Sequence, residues 1–322
     1  MLSTRMVSLA DIPAVQQLAD AQTARYRACD PPLPERIALP SWLVFTDDAT
    51  CWLALAGRRP VGALSAMHER WPPDNPLANV FPRHYLRLRL FLAEDAAPAD
   101  VLPVLLRCVE GWPGARGISG RMLNVPACDA ALQAALRASG FAPYHAIAHR
   151  PMLPPPPCPP VDGLVIRAAA NGDVPALAGL LAESWRFHAA HQPAIRLSDS
   201  LQEGCAEQVT LLMGSGGHQL LLVAEQQGVV VGFFGIGLSV QEPQVRPAFF
   251  ARGHYGDIFE VAVRADWRRR GVGTAMFQAA WAWFARRDVQ GVFVNYAPTN
   301  PLSSRFWPRL GFVDAWVNFW RA

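Results

Sequence analysis

Lysine is absent from the 322 residues, so all 29 basic side chains are arginine. Chemistry that depends on a lysine amine is therefore excluded. Net charge is scarce too: 26 acidic residues leave a formal charge of +3, too little for a protein whose work is binding nucleic acid or a membrane surface. Cysteine is sparse and scattered. Cys29, Cys51, Cys108, Cys128, Cys158 and Cys205 form no C-x-x-C pair and have no histidine at metal-ligand spacing, which argues against a metal centre and makes reduced, buried thiols the expectation. Long apolar runs are also missing. The longest, VVVGFFGIGLSV from Val229, covers twelve residues with three glycines, well short of a membrane span. Asp11 falls within the first dozen residues, where a secretory signal would be apolar. A cytoplasmic protein is expected.

Apolar side chains, by contrast, make up 51% of a chain longer than the usual single domain, enough for two cores. The sharpest boundary is PMLPPPPCPPVDG, Pro151 to Gly163, where repeated proline favours an extended spacer over helix or strand. Residues 1–150 and 164–322 then form two domains joined by a proline-rich linker, 151–163. The halves resemble each other. ADIPAVQQLADAQTARY from Ala10 matches GDVPALAGLLAESWRFH from Gly172, each with an aspartate suited to a helix N-cap and a proline just inside. Two β-hairpin patterns align Gly62 with Gly232, and two helix ends align Gly140-Phe141 with Gly311-Phe312. The offsets are 162 residues at Asp11/Asp173, 170 at Gly62/Gly232 and 171 at Gly140/Gly311. Ordered, slowly rising offsets are the mark of an internal duplication.

Within the second half, apolar periodicity, caps and turns predict a mixed α/β order. Strand 165–168 leads to helices 173–190 and 198–213, then hairpin strands 220–224 and 229–238. Strand 257–263 (DIFEVAV), a helix ending near Arg287, strand 291–296 (GVFVNY), a helix from Ser303 to about Leu310 and a last strand 315–320 complete it. The stretch WRRRGVGTAMF, Trp267 to Phe277, lies between a strand and a helix. A glycine-rich turn that opens a helix aims unpaired N–H groups, backed by the helix dipole, at one point where a phosphate can settle. Gly271 and Gly273 let the backbone approach, Thr274 adds a hydroxyl, and the arginines add attraction.

This R-x-x-G-x-G turn after VAVRADW, followed by NYAPTNPLSSRFWPRLGF, resembles the GNAT superfamily of N-acetyltransferases over Leu164 to Ala322. The resemblance implies two tandem GNAT-like domains, each a mixed, mostly antiparallel sheet flanked by helices. It implies acetyl-CoA as cosubstrate, its pyrophosphate held by Arg268, Arg269, Arg270, Gly271, Val272, Gly273 and Thr274. The pantetheine arm would pair with the backbone of Val261, Ala262 and Val263 and meet Asn300. In the first half, LAEDAAPADVL occupies the turn's place, and its acidic residues repel phosphate. That half is expected to lack a cofactor site and to serve a structural role or wall the substrate cleft.

Acetyl transfer to an amine needs a proton acceptor, because an alkyl ammonium has a pKa of about 10. Glu260 and Asp257 lie on the strand that enters the turn, and Glu260 interrupts the apolar IFEVAV; a carboxylate is costly there unless it has a task. Glu260 is the first candidate base and Asp257 the second. With period two they face opposite ways unless a bulge intervenes. Asn295 stands where some members of the family carry a glutamate, and it cannot accept a proton. Trp307 stands where many carry a tyrosine that protonates the leaving thiolate; the indole cannot do so and is expected to pack on the pantetheine instead. Tyr296 and Tyr255 are the remaining tyrosine candidates, each also a natural core or rim aromatic. His188, His191 and His254 are expected to be solvated or satisfied, with His254 near the acceptor cleft. The resulting expectation is a transferase acetylating a small-molecule primary amine by direct attack, with protein or peptide acetylation, or acyl-CoA sensing without catalysis, as alternatives.

Overall fold

Hydrophobic alternation and helix-start signals of the first half produce β1 (Leu2–Met6), α1 (Ile12–Arg25), β2 (Ala49–Ala56), β3 (Arg59–Arg70), β4 (His84–Leu92), α2 (Pro98–Gly111), β5 (Arg121–Pro126), α3 (Ala130–Ala138) and β6 (Ala142–Pro151). The second half repeats the scheme with β7 (Leu164–Ala168), α4 (Val174–Ala189), α5 (Leu201–Gly214), β8 (Gln219–Gln226), β9 (Val229–Gln241), β10 (Gly253–Val263), α6 (Val272–Phe284), β11 (Gly291–Tyr296), α7 (Ser303–Arg309) and β12 (Val313–Arg321). These come from a computed structural model that describes residues 2–26, 29, 33, 48–72, 75, 80–192, 194–214, 217–242 and 249–322. No helix among them is long and apolar enough to cross a membrane.

Strand register repeats between the halves. Gly62 pairs with Leu92 where β3 meets β4, and Gly232 with Val263 where β9 meets β10. The two helix-start aspartates behave alike, though not as simple caps. Asp11 accepts the Ser8 N–H and pairs with Arg5, while Asp173 accepts the Ala170 N–H and pairs with Arg167. Neither side chain caps its own helix; each ties the helix start back to the preceding strand.

All twelve strands join one sheet, in the order β1-β2-β3-β4-β5-β12-β6-β11-β10-β9-β8-β7. The two halves exchange their last strands. β12 runs antiparallel to β5, and β6 runs antiparallel to β11, with β12 and β6 side by side at the centre. Helices α2, α3, α6 and α7 cover one face, burying leucines of β4 and β5 and the inner residues of β9 to β11. Helices α1, α4 and α5 cover the other.

The proline-rich segment does not hang free. Arg150 donates to the carbonyls of Leu153 and Pro154, both at 2.8 Å, and its guanidinium lies 4.1 Å from the Trp281 ring centre on α6. Gln278, also on α6, donates to Pro156 O at 3.0 Å. The expectation of six reduced thiols is corrected for one pair. Cys29 and Cys128, 99 residues apart in sequence, are joined by a disulfide. No spacing rule links residues so distant; only the fold brings them together. Cys51 and Cys205 are free and buried, and burial pushes the Cys51 thiol up to about 12.

Candidate active site

β10 and β11 pair in parallel only from Tyr255/Gly291 to Ile258/Val294. Beyond that point the strands diverge, leaving backbone groups of β10 without a partner on that side, and a cleft of about 1040 Å³ opens. The arginine-glycine turn forms its rim. Gly271 starts α6 at φ +84° and Arg269 precedes it at φ +62°, a left-handed pair of turns that only glycine adopts cheaply. Ala275 is the first α6 residue whose N–H reaches back within the helix, to Gly271 O at 2.9 Å. The earlier amides are left for an anion.

The three arginines divide their work. Arg268 donates through Nε to Val263 O at 2.9 Å and through Nη2 to Glu183 at 3.2 Å, with its guanidinium over Phe187, so it braces the turn against β10 and α4. Arg270 stacks on Trp267, 4.9 Å from the ring centre, and is not on the cleft wall. Arg269 is on it, together with Gly271, Gly273 and Thr274. Val272 is 1% exposed and packs in the core, so only its amide is relevant to a ligand. Val261, Ala262 and Val263 line the cleft, as do Asn300 and Trp307. Asn300 Oδ1 accepts the Leu302 N–H at 2.9 Å and thereby sets the entry to α7. Trp307 is buried against Phe234, Phe306 and Phe312.

The two carboxylates share one face because a bulge intervenes. Ile258 pairs with Ile236 and Glu260 with Gly235, so Phe259 is an extra residue in β10 and shifts the alternation by one. Glu260 lines the cleft, whereas Asp257 lies behind it. Desolvation pushes Glu260 up to about 7, with the neighbouring Asp257 charge adding to the rise. Desolvation alone pushes Asp257 up to about 7, and its Oδ1 is buried without a hydrogen bond. Gln208 on α5 donates to Glu260 Oε1 at 2.9 Å, stabilising the ionised form. Replacing Gln208 with leucine should therefore raise the Glu260 pKa further. Any rate that needs ionised Glu260 should fall at pH 7 and recover at pH 9, and a pH profile of kcat/KM reads that displacement.

The matching region of the first half carries the opposite charge. Carrying the register across the duplication puts Arg89 opposite Glu260 and Arg87 opposite Asp257. Gln22 on α1 reaches into the gap beyond the β4–β5 pairing and accepts the Leu92 N–H at 2.9 Å; Leu92 is the counterpart of Val263. Tyr26 donates to Asp129 at 2.6 Å, and the Cys29–Cys128 bond fastens the same crossing. In the second half the corresponding positions are Ser184, His188, His191 and Thr299. Ser184 is too short to plug the gap and lines the cleft with His188. Thr299 donates to His191 O at 2.6 Å, standing where the disulfide stands in the other half. In the acidic turn expected to repel phosphate, Arg59 pairs with Asp95, and Arg25 donates to the carbonyls of Ala93 and Glu94.

Of the histidines, His188 departs from the expectation of a satisfied side chain. Burial pushes it down to about 4, and its Nδ1 is buried with no hydrogen bond while the residue lines the cleft. His254 is exposed and does not line the cleft. The sequence reading missed His145 and Phe81, which the first half contributes to this wall; burial pushes His145 down to about 3. Asn295 is an exposed cleft residue. Tyr296 also lines the cleft, but its hydroxyl donates to Asp314 at 2.8 Å, and Tyr255 is packed among Phe250 and Phe293.

Residues 180–312 match the family model described as acetyltransferase (GNAT) family. No curated protein sequence matches the chain. Among solved structures, a GCN5-related N-acetyltransferase from Sphaerobacter thermophilus is similar over 99% of this chain and 95% of its own, at TM-score 0.60 and 18% identity. A tandem GNAT protein from the clavulanic acid biosynthesis pathway is similar over 100% of this chain and 98% of its own, at TM-score 0.51 and 16% identity. A glucosamine N-acetyltransferase region of a fungal multi-domain β-N-acetylglucosaminidase matches 99% of this chain and 38% of its own, at TM-score 0.55 and 15% identity. At such identities the likeness is one of fold, and it extends over both halves. Residues 180–312 thus match the GNAT acetyltransferase family, and the chain as a whole shares its fold with tandem GNAT structures.

Proposed function

We propose that the protein transfers an acetyl group from acetyl-CoA to a primary amine of a small molecule, with all chemistry in the second half. The observation that carries this is the joining in one cleft of Glu260, held at about 7, with a rim of unpaired amides at Gly271 to Thr274. The residues present suit the coenzyme. Those amides and Arg269 would take its diphosphate, the open edge of Val261 to Val263 would pair with its pantetheine arm, and Trp307 and Asn300 would flank that arm. Bound there, acetyl-CoA supplies an activated acyl thioester.

The chain's own groups do the rest. A carboxylate with a pKa near 7 is ionised enough at neutral pH to accept the amine's proton and strong enough to hold it. A backbone N–H on the diverging stretch of β10 is available to the thioester oxygen as negative charge gathers there. No tyrosine hydroxyl among the described cleft residues is free to serve as acid, since Tyr296 is committed to Asp314. Protonated Glu260 fills that role. A thiol pKa of about 8.5 exceeds that of Glu260, so the proton taken from the amine passes downhill to the departing thiolate. Walls from α4 and from the first half narrow the acceptor side, which supports a small acceptor over a protein tail.

The test is thiol release from acetyl-CoA across a panel of amines, with the acetylated product identified by mass. Release no faster than in protein-free buffer, with acetyl-CoA bound in calorimetry, would leave a binding protein and overturn the enzymatic reading.

A further inference from the structure

The main cleft is lined from both faces of the sheet, and the two sides differ in chemistry. All four arginines among its described lining residues, Arg268, Arg269, Arg305 and Arg309, belong to the turn or to α7. Glu183 on α4 is committed to Arg268 at 3.2 Å. Glu260 faces the other way, toward α5, where Gln208 meets it. Among the described lining residues it is the one carboxylate without a cationic partner.

On the face of Glu260 the cleft wall is aromatic. α4 contributes Trp185 and His188, β6 contributes His145, and the segment before β4 contributes Phe81. His145 shares this face because Ile147, two residues on, packs with Tyr26 of α1. None of the four side chains is fully buried, so each leaves ring surface to a ligand. Burial holds both imidazoles uncharged at neutral pH, at about 3 for His145 and about 4 for His188.

Phe81 is held in place by the second half. Val80, 3% exposed, sits among leucines of α4 and α5, and its carbonyl accepts the Arg196 N–H at 3.0 Å. Phe81 then meets Trp185 edge to face, with ring centres 5.5 Å apart and planes at 84°. Two rings so set form a corner that a third flat ring can fill, face against one and edge against the other. The duplication shows that the fold does not require these rings. At the offset of 162 Trp185 corresponds to Thr23, and at 170 Phe81 corresponds to Ala251. The Thr23 hydroxyl merely donates to Ala19 O within α1 at 2.8 Å.

We infer that the acceptor is a monoamine with an uncharged aromatic body, its ring set in the corner of Phe81 and Trp185 and its amine directed to Glu260. A polyamine would bring a second cation for which the described wall holds no free carboxylate. An acidic acceptor would place its anion among uncharged rings, where desolvation is not repaid. Phe81 makes the first half a determinant of specificity for chemistry performed in the second. This rests on the amine-acetylating reading above.

The experiment compares 2-phenylethylamine, butylamine, spermidine and phenylalanine as acceptors at saturating acetyl-CoA. Expected is a KM for 2-phenylethylamine about tenfold or more below that of butylamine, with spermidine and phenylalanine poorer than either; tenfold corresponds to about 1.4 kcal/mol. Trp185→Leu should erase most of the preference for the ring while the Kd for acetyl-CoA stays that of the wild type. Phe81→Ala should do the same from the other half, and keeps the test open if Trp185→Leu folds poorly. Equal KM values for 2-phenylethylamine and butylamine, a preference for spermidine or phenylalanine, or variants that retain the ring preference would overturn the proposal. If no amine is acetylated although acetyl-CoA binds, the amine reading fails by itself. Binding of 2-phenylethylamine, followed by saturation-transfer NMR, then judges the ring site: binding weakened in both variants supports it, and binding absent or equal to wild type overturns it.

Discussion

Replacing Gly271 with glutamate should raise the Kd for acetyl-CoA at least about a hundredfold, or about 2.7 kcal/mol. Two effects act in the same direction. Gly271 sits at φ +84°, and a Cβ there would lie 3.1 Å from Val161, so a side chain costs about 1–2 kcal/mol of backbone strain and displaces the amides that form the rim. The new carboxylate then faces the diphosphate with like charge. Gly271→Ala separates these contributions: it carries the strain without the charge and should weaken binding less. Calorimetry at two salt concentrations completes the comparison, because the difference between the two variants should shrink as salt screens the charge. Binding undiminished in Gly271→Glu would remove the turn from coenzyme recognition.

Glu260→Gln should lower kcat by about 10² to 10⁴-fold while leaving the acetyl-CoA Kd unchanged. Glutamine keeps the shape and can still meet Gln208, but it accepts no proton. The sign of the pH dependence follows from the raised pKa. In the wild type Glu260 is protonated, and inactive as a base, below about 7, so kcat/KM should climb with pH through that value. In Glu260→Gln the climb should vanish and leave a low, flatter profile governed by the amine's own ionisation. Full activity in the variant would exclude Glu260 from proton transfer and pass the role to Asp257, the only other carboxylate on β10. Asp257 lies behind the cleft wall, so a substrate would reach it only through an intervening group.

Much of this was legible in the sequence because the signals are local. The turn at Arg268 to Thr274 is seven contiguous residues whose glycines report backbone shape directly, and the duplication is visible in residue offsets. The step in those offsets, from 170 at Gly62/Gly232 to 171 at Gly140/Gly311, was in fact the trace of the bulge. Phe259 is the one inserted residue, and it turns Glu260 onto the face of Asp257. The same offset of 171 sets Arg89 opposite Glu260, so the missing carboxylate of the first half could have been read too. The strand exchange could not. β5 offers the same apolar alternation to β6 or to β12, and an antiparallel ladder discriminates weakly between two partners of like pattern. From that exchange follows a feature the sequence hid: His145 at the cleft of the other half. The disulfide was hidden for a related reason, since Gln22, Tyr26 and Cys29 act together only once α1 lies across the gap between β4 and β5.

The exchange also fixes an order of events during synthesis. Strand β5 has no neighbour on one side until Val313–Arg321 has been made, almost two hundred residues after β5 itself leaves the ribosome. An unpaired sheet edge is a template for mispairing, and pairings this distant in the chain form slowly. The nascent first half must either wait with its edge exposed or pair β5 provisionally with β6 and later surrender it. Completion of the sheet thus waits on the final strand, and a translational pause upstream of Val313 should lengthen the period in which an unpaired β5 edge is open to aggregation.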